Sequence, residues 1–143
     1  MSRSTANRSM PPGIFIPELV YADVRDAAAW LCEAFGFSER LRIADHRVQL
    51  TLGDASIVVV QGPRQPDAAH ASTHAVMVHV DDVDAIFARA KAHGARVARE
   101  PADYPYGERQ CTLVDLGGHV WTFSQTIADI DPADWGGELR HRE

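Results

Sequence analysis

Cysteine is scarce in this chain. Only Cys32 and Cys111 occur among 143 residues, and neither has a second Cys or a His at metal-type spacing. A disulfide-dense scaffold and a thiolate metal site therefore have no support. One Cys32–Cys111 bridge is the alternative to two buried free thiols, and the lack of an export signal favours the thiols. Positive charge is also short: 14 Lys and Arg stand against 20 Asp and Glu, for a net charge of -6. That balance speaks against nucleic acid and anionic membrane as partners, because both select clustered cations. No stretch approaches the ~20 apolar residues of a membrane span. Residues 1–10 lack the apolar centre of a signal peptide. There is no phosphate-cradling glycine loop, no nucleophile elbow and no His-x-His or Cys-x-x-Cys pair. The expectation is a soluble, cytoplasmic protein with a poorly ordered tail over residues 1–12.

What the chain does have is an internal repeat. Val20-Tyr21-Ala22-Asp23-Val24-Arg25-Asp26-Ala27, running to Phe35-Gly36-Phe37, returns as Val80-Asp81-Asp82-Val83-Asp84-Ala85, running to His93-Gly94-Ala95. Each copy reads as an apolar strand, an acidic helix start, an Ala-rich helix and a glycine stop. Each continues into alternating segments that end in an apolar run, Ile57-Val58-Val59-Val60 and Val120-Trp121-Thr122-Phe123.

The spacing predicts a strand over Ile14–Tyr21 and a helix over Asp26–Phe35 that buries Ala27, Trp30, Leu31 and Ala34. Strands follow over Ser38–Ile43, Arg47–Leu52 and Ser56–Val60, with Gly53-Asp54 as a tight turn. Residues 62–73 read as a linker. The second copy predicts a strand over Ala75–Val80 and a helix over Asp82–His93 with Val83, Ile86, Phe87 and Ala90 inward. Strands near Ala95–Arg99, Arg109–Val114 and His119–Ser124 complete it. The fold class is thus α+β: tandem βαβββ modules, residues 13–61 and 74–126, in one domain over 13–126. Their curved mixed sheets would form a cup, with the helices on the outer face. Residues 127–143 form an extension whose Trp135 anchors it to the body or to a second subunit.

The arrangement resembles the vicinal oxygen chelate superfamily, which includes glyoxalase I, extradiol dioxygenases, fosfomycin-resistance enzymes and bleomycin-binding proteins. The residues that carry the resemblance are Asp26-Ala27-Ala28 to Ala34-Phe35-Gly36-Phe37, Val80 to Ala85, Pro105-Tyr106-Gly107-Glu108-Arg109 and Asp115 through Gly118-His119-Val120-Trp121. It implies the cup, a small-molecule ligand within it, and a homodimer. In metal-dependent members, His and Glu side chains from four strand positions converge on a divalent ion. Carried over by their neighbours, those positions hold Ile16, Val59, Thr122 and either Ala75 or His74. The choice depends on register, and a one-residue slip reverses the face. Ala75 is preferred because Val76, Val78 and Val80 then pack against the helix. In either register the inherited metal site is absent, and no cofactor is implied.

With Ala75 in the cup, Met77 and His79 face it, and by symmetry so do Ile16, Glu18 and Val20. Glu18 reads either as a general base or cation anchor, or as a strand-end charge paired with an Arg. His79 reads as a proton partner or as a half-exposed sheet histidine. Tyr106 and Arg109 read as rim contacts for a ligand, with a surface Glu108–Arg109 pair as the alternative. Trp30, Trp121 and Phe123 read as core.

The expected function is a metal-free small-molecule binder whose ligand contacts are Ile16, Glu18, Val20, Val59, Met77, His79, Tyr106, Arg109 and Thr122. The alternatives are a metal-independent enzyme using Glu18 and His79 for acid–base work, or a metalloenzyme with relocated ligands such as Glu18, His79 and His74.

Overall fold

A computed structural model describes residues 7–63 and 74–139. The expected linker lies, from residue 64 onward, outside the described residues. The chain divides into two compact units, 1–66 and 67–143, and each is described by itself.

The first unit contains β1 (Glu18–Tyr21), α1 (Val24–Phe35), β2 (Ser38–Ile43), β3 (Arg47–Leu52) and β4 (Ala55–Gln61). Its four strands lie in the order β1-β4-β3-β2. The second contains β5 (Val76–His79), α2 (Val83–Ala92), β6 (Arg96–Tyr104), β7 (Glu108–Val114), β8 (Val120–Thr126) and a 3-10 turn over Pro132–Trp135. Its order, β5-β8-β7-β6, is the same. In each unit the first strand pairs parallel with the last, and the remaining pairs are antiparallel. The fold is α+β, with two βαβββ modules.

Both helices start by the same device. Asp23 accepts from the Asp26 amide at 3.0 Å, and Asp82 accepts from the Ala85 amide at 3.1 Å. Such caps contribute about 1 kcal/mol each. A second device lies one strand away. The Gln61 side-chain carbonyl accepts from the Val24 amide at 3.0 Å, and Gln125 does the same for Val83 at 2.8 Å. The end of each last strand thus satisfies a donor that the first helical turn leaves over.

Helix α1 packs on β2, β3 and β4, burying Ala27, Ala28, Leu31 and Ala34. Trp30, expected in that face, is only half-buried and meets the Phe35 ring edge-on at 5.1 Å. Helix α2 packs on β6, β7 and β8. It buries Val83 and Ala90, while Ile86 and Phe87 stay partly exposed. Trp121 and Phe123 are fully buried, as expected of core. Asp115 gives the second unit a staple that has no counterpart among the described residues of the first. One carboxylate oxygen accepts from the Gly117 and His119 amides and the other from the Trp121 indole N–H, all at 2.9 Å.

Two strands differ from expectation. β1 begins at Glu18 and not at Ile14; Ile14 and Phe15 are almost fully exposed. Pro17 explains the limit, since it lacks an N–H and enters the ladder only through its carbonyl, which accepts from Val58 at 2.9 Å. β6 runs on to Tyr104, well past Arg99. Pro101 falls inside it, which is tolerated because β6 is an edge strand with register shifts between Val97 and Ala102.

The cysteines are free, with Cys111 buried and Cys32 partly so. Burial pushes the Cys111 thiol up to about 11 and raises that of Cys32, so neither is an activated nucleophile. No described helix is long and apolar enough to cross a membrane.

Candidate functional site

In a sheet, directly paired residues share a face and neighbours along a strand alternate. In the second unit, Met77 pairs with Thr122 and His79 with Ser124. Thr122 pairs onward with Thr112, Ser124 with Gln110, and Thr126 with Glu108. These residues form the face turned away from α2. Tyr104 joins it by pairing with Glu108.

Two chains of hydrogen bonds cross that face and meet at one carboxylate. In the first, the Tyr106 hydroxyl donates to Gln110 Oε1 at 3.1 Å, and Gln110 Nε2 donates to Ser124 Oγ at 2.9 Å. Ser124 then donates to Glu108 Oε1 at 2.5 Å. In the second, Thr126 donates to Glu108 Oε2 at 2.6 Å. Its single proton is then spent, so at 3.3 Å it accepts from His79 Nε2. The hydroxyl bonds from Ser124 and Thr126 hold the Glu108 carboxyl below the ordinary range, and the nearby His79 adds to this. Glu108 is therefore an anion at neutral pH. Beside it, the Tyr104 and Tyr106 rings stack at 5.6 Å, and Trp135 meets Tyr106 edge-on at 5.5 Å. Trp135 thus ties the extension to the second unit, helped by the Gly107 carbonyl, which accepts from the Ile127 and Ala128 amides.

The first unit builds the same face differently. Glu18 pairs with Val58, Val20 with Val60, Gln49 with Val58 and Arg47 with Val60. Arg47 holds the Glu18 carboxylate at 2.6 Å in a solvent-exposed pair. Residues 8–12, expected within the tail, lie across this sheet. Arg40 donates to the Arg8 carbonyl at 2.9 Å and to Gln49 at 2.6 Å. Gln49 donates to the Ser9 carbonyl at 2.8 Å, and Ser56 to that of Pro12 at 2.6 Å. Val58 is buried on this side.

Of the expected contacts, Met77, His79, Thr122 and Tyr106 are gathered on or beside the face of the second unit. Glu18 and Val20 lie on the corresponding face of the first. Three assignments are corrected. Val59 shares its face with Leu19 and lies fully buried on the helix side; Val58 is the residue that matches Thr122. The apolar run from Ile57 to Val60 gave no alternation from which to read the face. Ile16 precedes β1, so a strand-face assignment does not apply to it. Arg109 sits one residue from Gln110 and therefore on the opposite face. It grips Asp84 through Nη2 at 3.0 Å and Asp103 through Nη1 at 2.9 Å, joining β6 and β7 to the first turn of α2. Those two carboxylates raise its pKa further and leave it spoken for. The expected alternative, a Glu108–Arg109 pair, does not form either.

Glu108, Gln110, Ser124 and Thr126 were missed as a group. Their signal was present as two alternations, Glu108-x-Gln110-x-Thr112 and Thr122-x-Ser124-x-Thr126, which set these six polar residues on one face.

The resemblance places a divalent ion at Ile16, Val59, Thr122 and Ala75 or His74; the strand pairing puts Val58 in the place of Val59 and, with Met77 opposite Thr122, favours Ala75. Ile16, Val58 and Ala75 have no donor side chain, and Thr122 shares a hydrogen bond with Thr112 at 3.2 Å. Among the described residues, no group of three or more His, Cys, Asp and Glu is placed to hold a metal. The donor set does not fit the ion.

Comparison with known proteins agrees with this architecture. Residues 13–123 match the model of the Glyoxalase/Bleomycin resistance protein/Dioxygenase superfamily. The crystal structure of TioX from Micromonospora sp. ML1 is 32% identical, with 83% of this chain and 100% of that chain covered and a TM-score of 0.65. The fosfomycin resistance protein FosX from Listeria monocytogenes shares the fold at 18% identity, covering 81% and 94% with a TM-score of 0.65. A superfamily enzyme from Burkholderia phytofirmans PsJN does so at 19% identity, covering 76% and 94% with a TM-score of 0.64. No curated protein matches the chain. The family model spans most of the sequence and its repeat accounts for both units, so the chain belongs to the glyoxalase/bleomycin resistance protein/dioxygenase superfamily.

Proposed function

We propose that this protein binds a small organic molecule without a metal ion, and that the ligand lies on the polar sheet face of the second unit. The observation that carries this reading is the convergence of Tyr106, Gln110, Ser124, Thr126 and His79 on Glu108, beside the Tyr104–Tyr106–Trp135 rings. A few fixed polar groups next to aromatic surface are what a small-molecule site requires. Thr122 extends the same face where the fold family places a metal ligand, and it supplies a hydroxyl in place of a carboxylate. The engagement of Glu18 by Arg47 supports binding over the acid–base alternative. Dimerisation belongs to the same proposal, with light scattering on the full chain as its check.

Metal analysis of protein purified without chelators is the test. The expected result is less than about one-tenth equivalent of any divalent ion, together with thermal stabilisation by some members of a library of aromatic compounds. A tightly held stoichiometric ion would overturn the reading.

A further inference from the structure

From the direction of the hydrogen bonds around Glu108, we infer the charge of the ligand: the second unit takes an organic cation on an aromatic body, with Glu108 as its counter-ion. This rests on the binding reading above and adds a chemical class to it.

Every donor in the two chains points the same way. Tyr106 donates to Gln110, Gln110 to Ser124 and Ser124 to Glu108, while His79 donates to Thr126 and Thr126 to Glu108. Such a fork stabilises negative charge at its focus and supplies no positive group there, since hydroxyls are neutral donors. An ionised carboxylate offers about four acceptor sites, and the two hydroxyls use two of them. The remaining capacity suits an N–H donor with a full positive charge.

Other carboxylates of the chain are neutralised differently. Glu18 meets Arg47, Glu39 meets Arg42, Asp45 meets Arg25, and Asp84 and Asp103 share Arg109. At Glu108 the hydroxyls of Ser124 and Thr126 occupy the places a guanidinium takes elsewhere. Two further nitrogen-bearing side chains lie nearby. His79 reaches Glu108 only through Thr126. Arg99 is committed to Tyr104, donating to its hydroxyl at 3.1 Å with its guanidinium 6.0 Å from the ring centre. Neither closes the carboxylate. Trp135, 42% exposed, and the tyrosine pair supply aromatic surface for the body of the ligand, and aromatic rings also attract cations.

The test uses three tricyclic probes of similar shape on the full chain: 9-aminoacridine, which is protonated at neutral pH, neutral acridine, and acridine-9-carboxylate. Binding is followed by probe fluorescence at low salt. The expected order is 9-aminoacridine tightest, acridine about tenfold weaker and the carboxylate weaker still, the gap being that of one charge-assisted hydrogen bond. Glu108→Gln should shrink the gap between the first two probes to less than about threefold. Wild-type protein supplies an independent arm, in which added NaCl should weaken 9-aminoacridine and spare acridine. Equal affinity for charged and neutral probes, or preference for the carboxylate, would overturn the charge assignment and leave the binding reading standing. If none of the three binds, both the charge assignment and this location for the ligand are wrong.

Discussion

Glu18, Val58 and Gln49 cross the open face of the first sheet in one row; the same row of the second sheet holds Met77, Thr122 and Thr112. The next row reads Val20, Val60 and Arg47 in one unit, and His79, Ser124 and Gln110 in the other. On the helix sides the units agree closely. Asp23 matches Asp82, Gln61 matches Gln125, and the buried side chains are mainly aliphatic and aromatic in both, with the Arg109–Asp84–Asp103 cluster particular to the second unit. The difference teaches where each constraint acts. The helix side must bury apolar surface and satisfy the first helical turn, which admits few solutions. The open side has no such duty. One unit covers it with its own residues 8–12, and the other gives it a directional polar network.

The comparison can be broken most forcefully at the hairpin turns. Asp115 holds two amides and the Trp121 indole, all at 2.9 Å, and is itself buried. Asp115→Ala removes the carboxylate that three donors share and is expected to cost about 2–4 kcal/mol. Asp54, in the corresponding turn of the first unit, is exposed. Asp54→Ala should change stability by less than about 0.5 kcal/mol. Urea unfolding followed by tryptophan fluorescence separates the two; equal effects would remove the staple from the account.

Glycines give the next contrast. Gly107 sits at φ +85°, and a Cβ there would collide with the Ala128 carbonyl oxygen. Gly107→Ala should cost about 1–3 kcal/mol and free the extension, raising proteolysis after residue 126. At Gly53, φ +62° with open space around the new Cβ, only the conformational penalty of about 1 kcal/mol is expected.

Removal of residues 1–12 should strip the first sheet's face of the carbonyls that its polar side chains use. Gln49 and Ser56 lose their carbonyl acceptors, and Arg40 loses that of Arg8. The expected loss is about 1–2 kcal/mol, with new hydrogen-exchange access on β3 and β4 and none on β7 and β8. The caps sharpen the likeness in the other direction. Gln61→Ala and Gln125→Ala should cost about 1 kcal/mol each and match one another, since each strips one acceptor from one first helical amide.

The helix side was the legible side. Asp82, Gly36 and Gly94 mark helix ends in the sequence itself, whereas α1 begins at Val24, two residues before the expected Asp26, with Asp23 as its cap; β-branched runs mark the strands between them. The open faces were harder to read. A run such as Ile57-Val58-Val59-Val60 is apolar throughout, so period two leaves its face undecided, and Val59 was placed one residue out of register. Tyr106 and His79 stood out as single residues, but a hydrogen-bond fork depends on cross-strand pairing. That pairing brings Glu108 opposite Thr126 and Gln110 opposite Ser124, and no local pattern states it. Arg109 failed for a related reason, because its partner Asp84 lies on a helix 25 positions earlier.

The smallest expected effect tests the fork itself. Hydrogen bonds from Ser124 and Thr126 hold folded Glu108 below its ordinary value of 4.5, whereas the unfolded chain keeps that ordinary value. The ionised form therefore adds stability that is full above about pH 4.5 and is lost as pH falls through the lower, folded value. Glu108→Gln keeps an acceptor for one hydroxyl but carries no charge, so it resembles the protonated wild type. Wild type should exceed the variant in urea midpoint near neutral pH, and the two should converge as pH falls through the folded value, below 4.5. A gap unchanged through that fall would mean that Glu108 contributes through packing alone. The fork would then not be a device for holding charge, and the difference between the two open faces would be one of shape.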